Sequence, residues 1–158
     1  MIGQPPIDGL MLTPLREIAD ARGAVLHMLR NDAPGFRSFG ECYFSEVNPG
    51  AIKAWKLHRR QTQNLAVPVG RVRFVFFDPR ENGTQRVHML ELGRPDAYLR
   101  LQIPPLLWYG FKCVSAVPAL IANCADLPHD PAESETLALG DLPSAIARAR
   151  LEHGESAP

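Results

Sequence analysis

With 158 residues, 46% of them hydrophobic, the chain is long enough to bury a core and too short for two independent domains, so one domain over residues 1–158 is expected. Seventeen basic residues balance seventeen acidic ones, which leaves no global field to attract nucleic acid or a membrane surface; an anionic ligand must be held by local charges. Cys42, Cys113 and Cys124 are odd in number and lack C-x-x-C spacing, which argues against a disulfide framework and a zinc site and points to buried thiols of a cytoplasmic protein.

The opening stretch MIGQPPIDGLMLTPL has no charged start followed by an apolar run, and no segment approaches ~18 consecutive apolar residues, so neither export nor anchoring is expected. Residues 15–29 fit helical spacing as well as two strands joined at Asp20–Gly23, with composition slightly favouring helix. Short runs rich in Val, Ile, Phe, Tyr and Leu, separated by prolines and glycines, predict strands at 41–47, 51–57, 64–69, 71–77, 86–92, 97–103, 111–115 and 119–124. Their spacing suits an all-β sandwich or barrel better than βαβ units. Asn48-Pro49-Gly50 and Glu81-Asn82-Gly83 read as reversals between antiparallel strands, and Gly70 as a tight corner. Ser144 is a good N-cap for a helix over 144–152, after a core of about 13–143, and the last residues are expected to fray.

The segment GAIKAWKLHRRQTQNLAVPVG sets Gly50, Lys56, His58, Gln63 and Gly70 at the intervals of the first cupin motif, whose ligands are His, His and Glu. The segment IPPLLWYGFKC places Tyr109 at the histidine of the second motif. An ammonium has no lone pair, and glutamine and neutral tyrosine are poor donors, whereas a transition metal needs about three or four good ones. No metal or other cofactor is therefore expected.

TPLREIADARG, IKAWKLHRRQTQNLAVPVGRVRFVFFDPREN and IPPLLWYGF, spread over residues 13–126, resemble the dTDP-4-dehydrorhamnose 3,5-epimerase family of metal-free cupins. The resemblance implies a jelly-roll β-barrel or double-sheet sandwich with a short C-terminal helix. It also implies a homodimer and an epimerase or isomerase acting on a nucleotide-linked 4-keto-6-deoxyhexose.

In that family a histidine removes a proton beside the C4 ketone and an acid on the other face returns one; His58 falls on the position of the base. By the strand period, Lys56 shares its face. Lys56 would hold the imidazole neutral by like-charge repulsion and steady an enolate oxygen. The alternative leaves both in solvent beside Lys53, Arg59 and Arg60.

The family's proton-donating tyrosine should lie near Ala122-Asn123, where this chain has none, so Tyr109 is the substitute candidate, or else an aromatic closing the barrel mouth. Asp141 is the candidate for orienting the base, and Asn64 stands where the family has a lysine. Candidate substrate-binding residues are Arg22, Lys53 and Arg73 for a diphosphate, Gln63 and Asn64 at the motif, and Trp108 as a stacking or packing ring. Asp78-Pro79-Arg80 reads as a structural turn. A barrel that binds a nucleotide sugar without turning it over is the other reading.

Overall fold

The computed structural model describes residue 3 and residues 5–80 and 86–154. Along the described residues run β1 (Met11–Pro14), β2 (Glu17–Asp20), β3 (Gly23–Leu26), β4 (Glu41–Val47), β5 (Ile52–His58), β6 (Gln63–Val69) and β7 (Arg71–Asp78). They continue with β8 (Arg86–Gly93), β9 (Leu99–Ile103), β10 (Trp108–Cys113), β11 (Ala119–Ala125), β12 (Ser134–Thr136) and the helix α1 (Ala145–His153). One antiparallel sheet has the order β1-β9-β6-β11-β4 and a second β12-β5-β10-β7-β8, while β2 and β3 form a separate ribbon. This is a jelly-roll sandwich of two open sheets, as the motifs implied.

The two sheets bury a shared core that includes Val47, Leu65, Val67, Phe74, Phe76, Leu101, Ile103 and Ile121. A second cluster lies on the outer face of the β5-β10-β7 sheet, where Trp55, Val75 and Phe77 pack against Ala147 and Leu151 of α1. Both faces of β7 are therefore covered over its second half, which is why Phe74-Val75-Phe76-Phe77 is a continuous apolar run rather than an alternation. Each phenylalanine so buried contributes about 1.5 to 3 kcal/mol of transfer free energy. Ala147 and Leu151 share a helix face through their i,i+4 spacing, and Ser144 caps α1 by accepting from the Ala147 N–H at 3.2 Å.

Several expectations need correction. Residues 15–29 contain two strands, with Ile18 opposite Val25, because Asp20 accepts from the Arg22 N–H at 2.7 Å and closes a turn at Gly23. The Asn48–Gly50 turn, closed by Ala51 N–H to Asn48 O, joins strands of different sheets and so makes a crossover between layers rather than a hairpin. Of the cysteines only Cys113 is buried; Cys42 is exposed and Cys124 half-buried, facing each other across β4 and β11. The turn assigned to Glu81–Gly83 and the tail beyond Gly154 lie outside the described residues.

At Gly70 the chain passes between sheets with φ 75°, and a Cβ there would stand 2.7 Å from the Ala119 Cα, so this corner requires glycine. Asp78 and Arg80 form the structural turn read from sequence, with Arg80 Nε donating to Asp78 Oδ1 at 2.8 Å. Among the described residues no helix is long and apolar enough to cross a membrane.

Candidate active site

Strand β5 carries the motif residues along one wall of a cavity of about 540 Å³ that opens between the sheets. Opposite β10, Lys56 pairs with Tyr109 and Lys53 with Phe111, so two residues of β5 face one of β10. This bulge brings Lys53 to the cavity together with Ala54, Lys56 and His58. Gly110 sits at the bulge because a Cβ there would lie 2.7 Å from Ala54 Cβ and 3.0 Å from Leu151. His58 is thus on the interior wall, only 6% exposed.

The partner of His58 comes from far along the chain. Strand β12 pairs with β5, matching Ser134 to His58, and the 3₁₀ turn Pro131–Glu133 just before it delivers Glu133 to the imidazole. Glu133, 5% exposed, accepts from His58 Nδ1 at 2.7 Å through one oxygen. Its other oxygen accepts from the backbone N–H groups of Arg60 and Gln61, each at 2.7 Å. Burial pushes the carboxyl up, but these donors outweigh it and hold Glu133 below the usual range, so it is ionised. An ionised acceptor fixes the proton on Nδ1 and leaves Nε2 unprotonated.

Burial is the main force lowering the His58 pKa; Glu133 opposes it and Lys56 reinforces it. Like-charge repulsion from Lys56 is therefore a secondary cause, where the sequence made it the main one. The result is a neutral imidazole near pH 7, suited to take a proton.

Tyr109, on β10 beside β5, stacks on His58 with ring centroids 6.2 Å apart and sets its hydroxyl 3.4 Å from Nε2. Burial raises its pKa far above that of a free phenol. It stands on the same wall as the base, so it is not placed to serve the opposite face of a substrate. That opposite wall belongs to the other sheet. There Tyr43 and Ser45 of β4 and Ile121 and Asn123 of β11 line the cavity, and Asn123 Nδ2 donates to the Tyr43 hydroxyl at 2.8 Å. A tyrosine therefore does stand beside Asn123, supplied by the neighbouring strand in the register Asn123↔Tyr43.

Of the sequence candidates, His58, Lys56, Lys53 and Tyr109 line this cavity. Gln63 is fully buried behind it, bonded to Asn123. The others lie elsewhere. Asp141 is exposed in the 3₁₀ turn Leu139–Asp141, and Glu133 takes the place assigned to it. Asn64 points to the other face of its sheet and donates to Cys124 O at 3.1 Å. Arg73 is paired with Glu91 at 3.0 Å, and Trp108 packs against the cluster under α1. Arg22 is in the exposed β2–β3 turn, paired with Asp20 at 2.6 Å.

Sequence reasoning missed Glu133, Tyr43 and the role of Asn123. Asp130-Pro131-Ala132-Glu133 carries the signs of a capped turn, with Asp130 accepting from Ala132 N–H at 2.9 Å, and alternation in ECYFSEV puts Glu41, Tyr43 and Ser45 on one face. Among the described residues no group of three His, Cys, Asp or Glu gathers as metal ligands. The groups around His58 are instead an ammonium, a carboxylate engaged by three donors, and phenols.

A jelly-roll sandwich with a buried histidine–carboxylate pair on its inner wall, faced by a tyrosine, defines a cupin whose cavity carries, among the described residues, ionisable groups rather than a metal-ligand set. The chain belongs to the dTDP sugar isomerase family. A dTDP sugar isomerase from Desulfovibrio desulfuricans G20 is 48% identical, with TM-score 0.86 over 93% of this chain and 96% of that one. The spore coat polysaccharide biosynthesis protein SpsL of Bacillus subtilis strain 168 is 26% identical over 132 residues, 79% of this chain and 83% of that protein. The dTDP-4-dehydrorhamnose 3,5-epimerase of Elizabethkingia anophelis NUHP1 shares the fold, with TM-score 0.69 and 19% identity over 85% of this chain and 78% of that one. No family model matches the sequence.

Proposed function

We propose that the protein epimerises a nucleotide-linked 4-keto-6-deoxyhexose by metal-free proton transfer, with His58 as base and Tyr43 as acid. The observation that carries this is the His58–Glu133 pair, which presents an unprotonated Nε2 to a cavity whose far wall holds Tyr43. The ketone acidifies the adjacent C–H. His58 Nε2 takes that proton, the C–H electron pair moves into the carbonyl to give an enolate, and Lys56 stabilises the oxygen. Tyr43 then delivers its phenolic proton to the same carbon from the other sheet, so the configuration inverts. Exchange with solvent restores both groups.

A positioned base of this kind contributes ~10² to 10⁴ in rate. Because His58 stands on β5 and Tyr43 on β4, in different sheets, two-sided transfer is favoured over return of the proton by one group on one face. The substrate expected is dTDP-4-keto-6-deoxyglucose, bound by a homodimer in the cytoplasm. The test is to incubate the protein with this compound and identify the product by proton NMR and chromatography. A C3- or C5-inverted 4-ketone supports the reading; a 3-ketone, or binding without turnover, counts against it.

A further inference from the structure

We infer that Asn123 is a positioning residue that holds Tyr43 with its proton turned toward the substrate, and that its own orientation is dictated by the backbone carbonyl of Leu127 through Gln61 and Gln63. The inference rests on the reading that Tyr43 is the acid, and goes beyond it by saying what makes Tyr43 a donor.

The geometry is a chain of side-chain amides, each of which has one donating and one accepting end. It begins at Leu127 O, which can only accept, so Gln61 must meet it with Nε2, at 2.5 Å. Gln61 Oε1 then faces Gln63, which must answer with its own Nε2. That turns Gln63 Oε1 toward Asn123, which must present Nδ2. The second hydrogen on Nδ2 goes to the Tyr43 oxygen at 2.8 Å.

Each step forces the next, so the polarity of the last bond is set at the first. Turning Asn123 over would set two carbonyl oxygens against each other inside the protein, where Gln63 is 0% exposed and Asn123 3% exposed. Tyr43 therefore accepts from Asn123, and its single hydrogen must be donated elsewhere, on the side lined by the cavity. Asn123 Oδ1 finds no partner among the described residues, as expected if the amide is held for its donor.

The same bond stabilises the phenolate left after the proton has gone. Burial raises the Tyr43 pKa, the Asn123 donor lowers it and Glu41 on the same strand raises it. The other charged or titratable groups around the cavity are Lys53, Lys56, His58, Tyr109 and His129.

The test uses the full chain labelled with ¹³Cζ-tyrosine, with the Tyr43 signal assigned through Tyr43→Phe. Removing the donor with the neutral, near-isosteric Asn123→Leu should raise the Tyr43 titration midpoint by about one pH unit, tenfold in its acid equilibrium. It should lower kcat more than it changes KM. Gln61→Met, which removes no hydrogen bond to Tyr43, should shift the midpoint in the same direction, because Gln63 and Asn123 are then free to turn over. A Tyr43 midpoint unchanged in Gln61→Met and in folded Asn123→Leu would overturn the inference, and if Asn123→Leu does not fold, Gln61→Met decides alone. Full turnover by Tyr43→Phe would instead overturn the reading beneath it, and the two failures are separable because the titration needs no substrate.

Discussion

Replacing Glu133 with glutamine changes one atom and should disable the base. The carboxylate now accepts three hydrogen bonds, from His58 Nδ1 and the Arg60 and Gln61 N–H groups, each at 2.7 Å. Glutamine has a single carbonyl oxygen to offer. Leaving a buried backbone N–H without an acceptor costs about 1 to 3 kcal/mol, so the carbonyl stays with the two backbone donors and the amide NH₂ turns to the imidazole. Nδ1 must then accept, the ring proton moves to Nε2, and the lone pair facing the cavity is lost.

The expected fall in kcat is about 10³- to 10⁴-fold, bounded by the ~10² to 10⁴ a general base supplies and by the ~10⁴ lost when the orienting carboxylate of a hydrolase triad becomes an amide. Stability should fall by only about 1 to 2 kcal/mol, the difference between a charge-assisted and a neutral bond. The assay pairs initial rates on the keto sugar with long-range ¹H–¹⁵N spectra that report the His58 tautomer. Activity within about tenfold of wild type, well inside the contribution of a base, would refute the role given to Glu133.

Because His58, as the proposed base, must be neutral to act and burial holds its pKa below the usual value, the acidic limb of kcat/KM should lie below pH ~6.5. Lys56→Met should move that limb upward by removing a like charge. The same depressed pKa makes the His58 contribution to stability complete above about pH 6.5 and progressively lost as pH falls toward the folded value, since the unfolded histidine binds its proton first. Urea denaturation across that range checks the sign. Tyr109→Phe removes only a 3.4 Å contact on the base's own wall and should change kcat less than tenfold, whereas Tyr43→Phe should cost about a hundredfold or more, as measured by steady-state rates. Gly70→Ala should lower stability by about 2 to 4 kcal/mol, combining a left-handed backbone with a Cβ pressed on Ala119, and is read as a lower urea midpoint at unchanged slope.

Most strands of the two sheets were legible because their side chains alternate or, in β7, are covered on both faces; strand β4 falls on the predicted residues 41–47 and α1 follows its Ser144 cap, whereas β1 was not predicted and β10 starts at Trp108 rather than at residue 111. What was illegible depended on partners distant in the chain. The three residues of β12 form a strand only because β5 has a free edge beside His58, so Glu133, in the turn before it, could not be placed from local pattern. The ribbon at 17–26 was obscured because its apolar spacing fits both periods, and the turn at Asp20 decided between them. His58 and Lys56 were found through motif spacing, which the β5 register preserves. Tyr43, the proposed acid, was overlooked because a tyrosine was sought on the strand of Asn123, while the pairing of β4 with β11 lets a neighbouring strand fill the same space.

The most direct measurement follows the C3 and C5 proton signals of dTDP-4-keto-6-deoxyglucose by NMR in heavy water, with wild type and His58→Ala side by side. Loss of one or both signals with wild type and their persistence with His58→Ala is the predicted result. Equal exchange by the two proteins, or none above the rate of substrate alone, would contradict a base at His58.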